Sequence, residues 1–252
     1  MADQQAFGQA AEQAFNTEPR CPCVLVIDVS GSMGEIVANS GKDLGYTIQQ
    51  DGQTYRAVSG GITRIDGVNE GLRTYQADLL SDSLAAQRVE VSVITFGSTV
   101  ETVVPFVGAQ EFQPPTLTYG GETMLGTAVL RAIDALTERK RLHRQNAILL
   151  FRPWLVLITD GTPTDSWQEA AARIKEGEAN KSFSFFPIGV ERANYDILRQ
   201  MSPARAPIAL TGNKWREMFL WLSASQRSVS HSNPGQEGGV SLPSPAGWGS
   251  IG

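Results

Sequence analysis

Residues Val24 to Gly34 constrain this chain more than any other stretch. Four apolar residues, Val24-Leu25-Val26-Ile27, run straight into Asp28-Val29-Ser30-Gly31-Ser32-Met33-Gly34. The apolar run lacks the alternation of a half-solvated strand, so it reads as a parallel strand buried on both faces. It stops at a carboxylate, two hydroxyls and two glycines. A strand with that ending delivers oxygen ligands to one point at its C-terminal end.

A second stretch repeats the device. Trp154-Leu155-Val156-Leu157-Ile158-Thr159 is fully apolar until Thr159, and Asp160-Gly161 follow. Further strands are expected at Arg88–Phe96, Thr99–Val104, Phe183–Val190 and Ile208–Thr211, and helices separate most of them. The Gly97-Ser98 turn makes the Thr99–Val104 strand antiparallel and places it at an edge. Alternation of strand and helix gives an α/β fold with a doubly wound sheet. In such sheets ligands sit beyond the carboxyl ends of the strands, where the strand order reverses.

Helices are read from apolar spacing. Val68, Leu72, Tyr75 and Leu79 form one core-facing stripe over residues 64–84. Leu125, Val129, Ala132, Ile133 and Leu136 form another, and Trp215, Met218, Phe219 and Leu222 a third. Asp165, with Gln168 three residues later, is expected to cap the helix after Asp160, and Asn213 to cap the last helix. Arg139, Lys140, Arg141 and Arg144 read as a solvated helix end that complements the dipole. Phe7, Ala10, Ala11, Ala14 and Phe15 have the spacing of a short docking helix in an extension over 1–20.

Residues 35–63 interrupt the strand-to-helix rhythm. Asp51-Gly52 lies between two alternating runs, a strong two-residue hairpin signal. Pairing across it sets Ile48 opposite Tyr55 and Tyr46 opposite Ala57. This inserted hairpin is either decorative or a partner contact. The expected domain therefore runs from 21 to 230. The Ser/Gly/Pro-rich residues 231–252 are expected to be a disordered tail.

Composition removes several classes of function. The 252 residues carry 21 Lys and Arg against 26 Asp and Glu, for a net charge of -5, which argues against a nucleic-acid binder. No stretch reaches the roughly 18 consecutive apolar residues of a membrane span. Met1-Ala2-Asp3-Gln4-Gln5 has neither the charge nor the apolar core of a signal peptide, so a cytoplasmic location is expected. The two cysteines, Cys21 and Cys23, are too close for a sound disulfide, and Cys23 reads as a small buried residue. The two histidines, His143 and His231, are not placed to act as bases.

The oxygen-bearing residues then form one constellation. Asp28 and Asp160 meet if their strands are neighbours. Ser30 and Ser32, two apart, can turn to one side of an extended loop. Thr123 arrives from the Gly-rich loop Tyr119-Gly120-Gly121-Glu122-Thr123. Two carboxylates and three hydroxyls are hard ligands that suit Mg²⁺ or Mn²⁺ rather than zinc. An incoming carboxylate would complete such a site. A nucleophile elbow is excluded because Asp28 stands two before Ser30, and no phosphate-binding loop motif exists.

These residues resemble a known family. Asp28-Val29-Ser30-Gly31-Ser32, with Thr123 and Asp160, is similar to the metal-ion-dependent adhesion site of von Willebrand factor A domains. Phe151–Asp165, Phe185–Val190, the Trp215–Ser230 helix and the Gly247-Trp248 ending resemble the TerY-like members of tellurium-resistance and stress operons. The resemblance implies a Rossmann-like, mostly parallel six-stranded sheet in the order 3-2-1-4-5-6. It implies direct metal ligation by Ser30, Ser32 and Thr123, with Asp28 and Asp160 binding through water or directly. It further implies a non-enzymatic scaffold that captures an Asp or Glu of a protein partner. A PP2C-like phosphatase and a Ser/Thr kinase-like protein are the partners it suggests. Departures are the long N-terminal extension, the 35–63 hairpin and Glu122, which either adds charge near the metal or points to solvent. The rival functions are metal-dependent phosphoryl transfer by the same aspartates and a scaffold with a purely structural metal.

Overall fold

The computed structural model describes residues 16–38, 42–50, 53–191 and 193–251. Its centre is β1 (Cys21–Asp28), all eight residues of which are buried. Two short strands, β2 (Ile36–Ala38) and β5 (Ile62–Thr63), pair antiparallel at the root of the insertion. Between them β3 (Lys42–Gln50) and β4 (Gln53–Ser59) form a separate ribbon in which Ile48 pairs with Tyr55 in the register. The ladder slips between Asp43 and Thr47, and the expected Tyr46–Ala57 pair falls at that irregularity. The Asp51-Gly52 turn and the expected docking helix over Phe7–Phe15 lie outside the described residues.

The remaining elements follow the alternation. They are α1 (Arg64–Leu80), α2 (Ser83–Arg88), β6 (Val89–Phe96), β7 (Val100–Gly108), α3 (Leu125–Gln145), β8 (Trp154–Thr159), α4 (Gln168–Ala179), β9 (Ser184–Val190), α5 (Tyr195–Met201), β10 (Ile208–Leu210), α6 (Trp215–Ser230) and β11 (Gly249–Ile251). The sheet order is β11-β10-β9-β8-β1-β6-β7. Its first six strands in chain order take the expected 3-2-1-4-5-6 arrangement, with β7 antiparallel at one edge. The sheet has seven strands instead of six, because β11 adds antiparallel to β10.

Alternate residues of β1 feed two cores, as strand geometry requires. Cys23, Leu25 and Ile27 join α1 and α6 on one side, and Val24 and Val26 join α3 and α4 on the other. The first side is set by close approach. A Cβ at Gly67 would stand 2.1 Å from the Trp215 ring, and one at Gly71 2.0 Å from the Phe219 ring. Two glycines one turn apart therefore seat two aromatic rings of α6 directly on the α1 backbone. The N-terminus of α1 is fixed by a capping box between Thr63 and Asp66.

Four expectations are corrected. The tail is anchored to the core through Trp248, which is 4% exposed: its ring lies 5.2 Å from that of Trp221, and Trp221 Nε1 donates to Pro243 O. Composition alone missed this because Val240, Leu242 and Trp248 are spread among Ser, Gly and Pro. Asp165 does not cap α4. Its carboxylate accepts from the Gly126 and Thr127 amides and so caps α3 from a separate loop. Asn213 does not cap α6, whose N-cap position is Lys214.

Arg139, finally, is not solvated. It makes a two-pronged pair with Glu90, and His143 Nε2 lies 2.8 Å from the same carboxylate. Burial alone would raise the Glu90 pKa. The hydrogen bonds from His143 and Arg139 outweigh it and hold the carboxyl below its ordinary value.

Trp248→Ala is expected to cost about 3 kcal/mol of unfolding free energy. Urea denaturation checks this, and a free tail would give no change.

Candidate functional site

The parallel register of β1 and β8 builds the site. Ile27 pairs with Ile158, so the chain continues to Asp28 beside Thr159 with Asp160 one residue beyond. This is the point where the strand order reverses: β6 and β7 extend to one side of β1, and β8 to β10 to the other. Asp28 is fully buried and Asp160 is 2% exposed.

Each oxygen of Asp28 has a donor. The Ser30 amide donates to Oδ1 at 2.8 Å, and the Thr159 hydroxyl to Oδ2 at 2.6 Å. Burial pushes the Asp28 carboxyl up from 3.8 to about 6. The hydrogen bonds of Ser30 and Thr159 oppose that rise, and the charge of Asp160 adds to it.

The loop after β1 is a short 3-10 turn over Gly31–Gly34. It leaves the Ser30 and Ser32 hydroxyls 3.1 Å apart, and Ser32 donates to Asp160 Oδ1 at 2.6 Å. Thr123 enters on a loop laced to this one. The Gly31 amide donates to Gly121 O at 3.1 Å, and the Gly120 amide to Val29 O at 2.7 Å. A Cβ at Gly161 would stand 3.3 Å from Thr123 Oγ1 and 3.7 Å from Asp28 Oδ2. Thr123, Asp28 and the Asp160-Gly161 turn therefore face one small space. The structure brings all five expected residues together, and Glu122 is exposed beside them.

One group in the site was not foreseen. Arg64, the first residue of α1, is 1% exposed, and its guanidinium lies inside the constellation. Nη1 donates to Asp160 Oδ2 at 2.6 Å and to Ser32 O at 3.0 Å. Nη2 reaches Glu191 Oε2 at 2.5 Å and Glu35 Oε2 at 2.8 Å. Burial disfavours the Arg64 charge, but Glu191 and Asp160 more than offset it and raise its pKa.

Among the described residues, no group of three or more His, Cys, Asp or Glu is arranged to hold a metal. The donor set here is of another kind: two buried carboxylates with three hydroxyls. Hydroxyl and carboxylate oxygens in a desolvated pocket fit a hard divalent cation. His143 is far away. Its partner Glu90 lies six residues before Phe96, which pairs with Asp28, so the two groups are about 20 Å apart along the sheet.

A profile described as von Willebrand factor type A domain matches residues 23–218. The chain belongs to this family. No match was found among curated proteins. Among solved structures, the D319A mutant of the PilB minor pilin from Streptococcus sanguinis aligns with a TM-score of 0.54 at 12% identity, over 86% of this chain and 64% of that one. Proximal thread matrix protein 1 from the mussel byssus, with a zinc-occupied MIDAS motif, aligns with a TM-score of 0.52 at 14% identity, over 84% and 49%. This VWA chain thus spans about two thirds of the pilin and half of the byssus protein, and at these identities the likeness is one of fold. No helix among the described residues is long and apolar enough to cross a membrane.

The raised Asp28 pKa gives a pH dependence. Without metal, the folded state binds more protons than the unfolded chain between 3.8 and about 6. Stability from this group is full below the lower value and is lost as pH rises through the upper one. Asp28→Asn cannot ionise. From pH 4 to pH 7 in EDTA it is expected to gain about 2 kcal/mol relative to the parent protein. Urea denaturation at both pH values measures the difference, and parallel pH profiles would contradict it.

Proposed function

We propose that this VWA domain is a non-enzymatic interaction module that captures an acidic side chain of a protein partner through a bound Mg²⁺ or Mn²⁺. The observation that carries the reading is the convergence of Ser30, Ser32 and Thr123 with Asp28 and Asp160 at the strand switch point. The three hydroxyls would hold the ion directly. The two carboxylates, already engaged by Ser30, Ser32, Thr159 and Arg64, would supply charge from behind. A divalent ion held by neutral hydroxyls is a Lewis acid with open positions for a partner's carboxylate. The zinc-occupied MIDAS motif of the byssus protein supports the presence of an ion. The hard-oxygen donor set favours Mg²⁺ or Mn²⁺ over zinc here.

The surroundings suit a protein ligand. Tyr119 is 52% exposed and lies against Gly34, and Ile36 is 46% exposed and lies against Gly61. Leu44 and Tyr46 on the inserted ribbon are also exposed. Apolar residues beside a charged centre are what a partner interface uses to add area and specificity.

The finer assignment rests on the sequence resemblance to TerY-like proteins. On that reading the module acts in the cytoplasm, in a phosphorylation-linked stress, tellurite-resistance or defence system. Its partners would be a PP2C-like phosphatase and a Ser/Thr kinase-like protein.

Titration calorimetry is expected to find one Mg²⁺ or Mn²⁺ per chain, with at least tenfold weaker binding in Ser32→Ala and Thr123→Ala. Candidate partners should be retained on the immobilised protein with Mg²⁺ and released by EDTA. Retention unaffected by EDTA would move the metal to a structural role, and turnover of phosphate esters lost in Asp28→Ala would favour the phosphoryl-transfer alternative.

A further inference from the structure

Arg64 stands where a cation is least expected. It is the first residue of a helix, where the dipole disfavours positive charge. It is buried, and its fork reaches Ser32 O, Asp160, Glu191 and Glu35. Two of these partners, Asp160 and Ser32, belong to the proposed metal site. The other two, Glu35 and Glu191, are partly exposed carboxylates at its rim, at 45% and 41%.

We propose that Arg64 is a resident counter-cation that shares Asp160 with the divalent ion and thereby limits how tightly that ion binds. The inference rests on the metal-dependent reading above. With Oδ2 committed to Arg64 and Oδ1 to Ser32, Asp160 offers the pocket a charge already shared with a cation. Asp28 is likewise committed at both oxygens. Arg64 therefore sets a deliberate shortage of negative charge. A site short of charge binds its metal less tightly, and it leaves that metal more receptive to an incoming carboxylate.

The rim carboxylates are the counterweight. Glu35 and Glu191 draw the guanidinium outward, so they govern how much of its charge Asp160 feels. Glu35 follows the site's own loop, and Glu191 follows β9 from the far side of β8. A partner that contacts the rim would reach the metal's charge balance through Arg64.

Mn²⁺ titration of the full chain by calorimetry tests this. Arg64→Gln removes the charge and is expected to bind Mn²⁺ on the order of tenfold more tightly. Arg64→Lys keeps the charge on a single nitrogen and is expected to stay within about threefold of the parent affinity, although it cannot reproduce the fork and loses thermal stability. The Glu35→Gln/Glu191→Gln pair leaves the guanidinium to Asp160 alone and is expected to weaken Mn²⁺ binding about threefold. If Arg64→Gln does not fold, the rim pair decides, since both residues are partly exposed. Unchanged or weaker binding in Arg64→Gln, or unchanged binding in the rim pair, overturns the inference. A folded parent protein that binds no Mn²⁺ overturns the underlying reading instead, whatever the variants do.

Discussion

Asp28 and Asp160 are buried side by side because Ile27 and Ile158 pair in parallel. Burial disfavours the charge of both carboxylates, and at adjacent strand ends they also repel each other. Much of what surrounds them answers that cost. The Ser30 amide and the Thr159 and Ser32 hydroxyls donate into the pair, and Arg64 supplies a full positive charge. A divalent ion would be a second such answer. The site is an electrostatic problem built by sheet topology, with its solutions drawn from three separate segments.

The far end of the sheet holds a closed version of the same problem. Glu90 lies within a fully buried strand, and Arg139 and His143 meet its carboxylate. The Glu90 carboxylate is engaged at both oxygens by these groups, which pins α3 to β6. A buried carboxylate with its own partners is structural. The pair at Asp28 and Asp160 differs because three further hydroxyl oxygens face the same space.

Much of this was legible in the sequence. Unbroken apolar runs identify central strands, and a carboxylate at the end of such a run points to a ligand site. Hence Asp28 and Asp160 were readable, and Thr123 followed from its Gly-rich loop. Arg64 was not, because it looks like an ordinary charged residue in the first turn of a helix and its partners come from residues 32, 35, 160 and 191. The Glu90 cluster did leave a signal. A glutamate inside Val89-Glu90-Val91, with Arg139 and His143 four apart on one helix, asks for a buried pair. Tail packing was hidden because a few apolar anchors in Ser/Gly/Pro sequence carry no periodicity. The capping errors at Asp165 and Asn213 share one cause: a carboxylate or amide serves whichever helix end the tertiary fold places near it.

The seating of Trp215 and Phe219 on Gly67 and Gly71 has a consequence for the order in which the chain is made. Arg64 is held by α1, but α1 is held by rings about 150 residues downstream. On the ribosome, the first two thirds of the chain can supply Asp28, Ser30, Ser32, Thr123 and Asp160. The helix that fixes their arginine still lacks its bed until α6 emerges. The charge balance of the site is therefore among the last features of the domain to mature, although its first residue lies near the start.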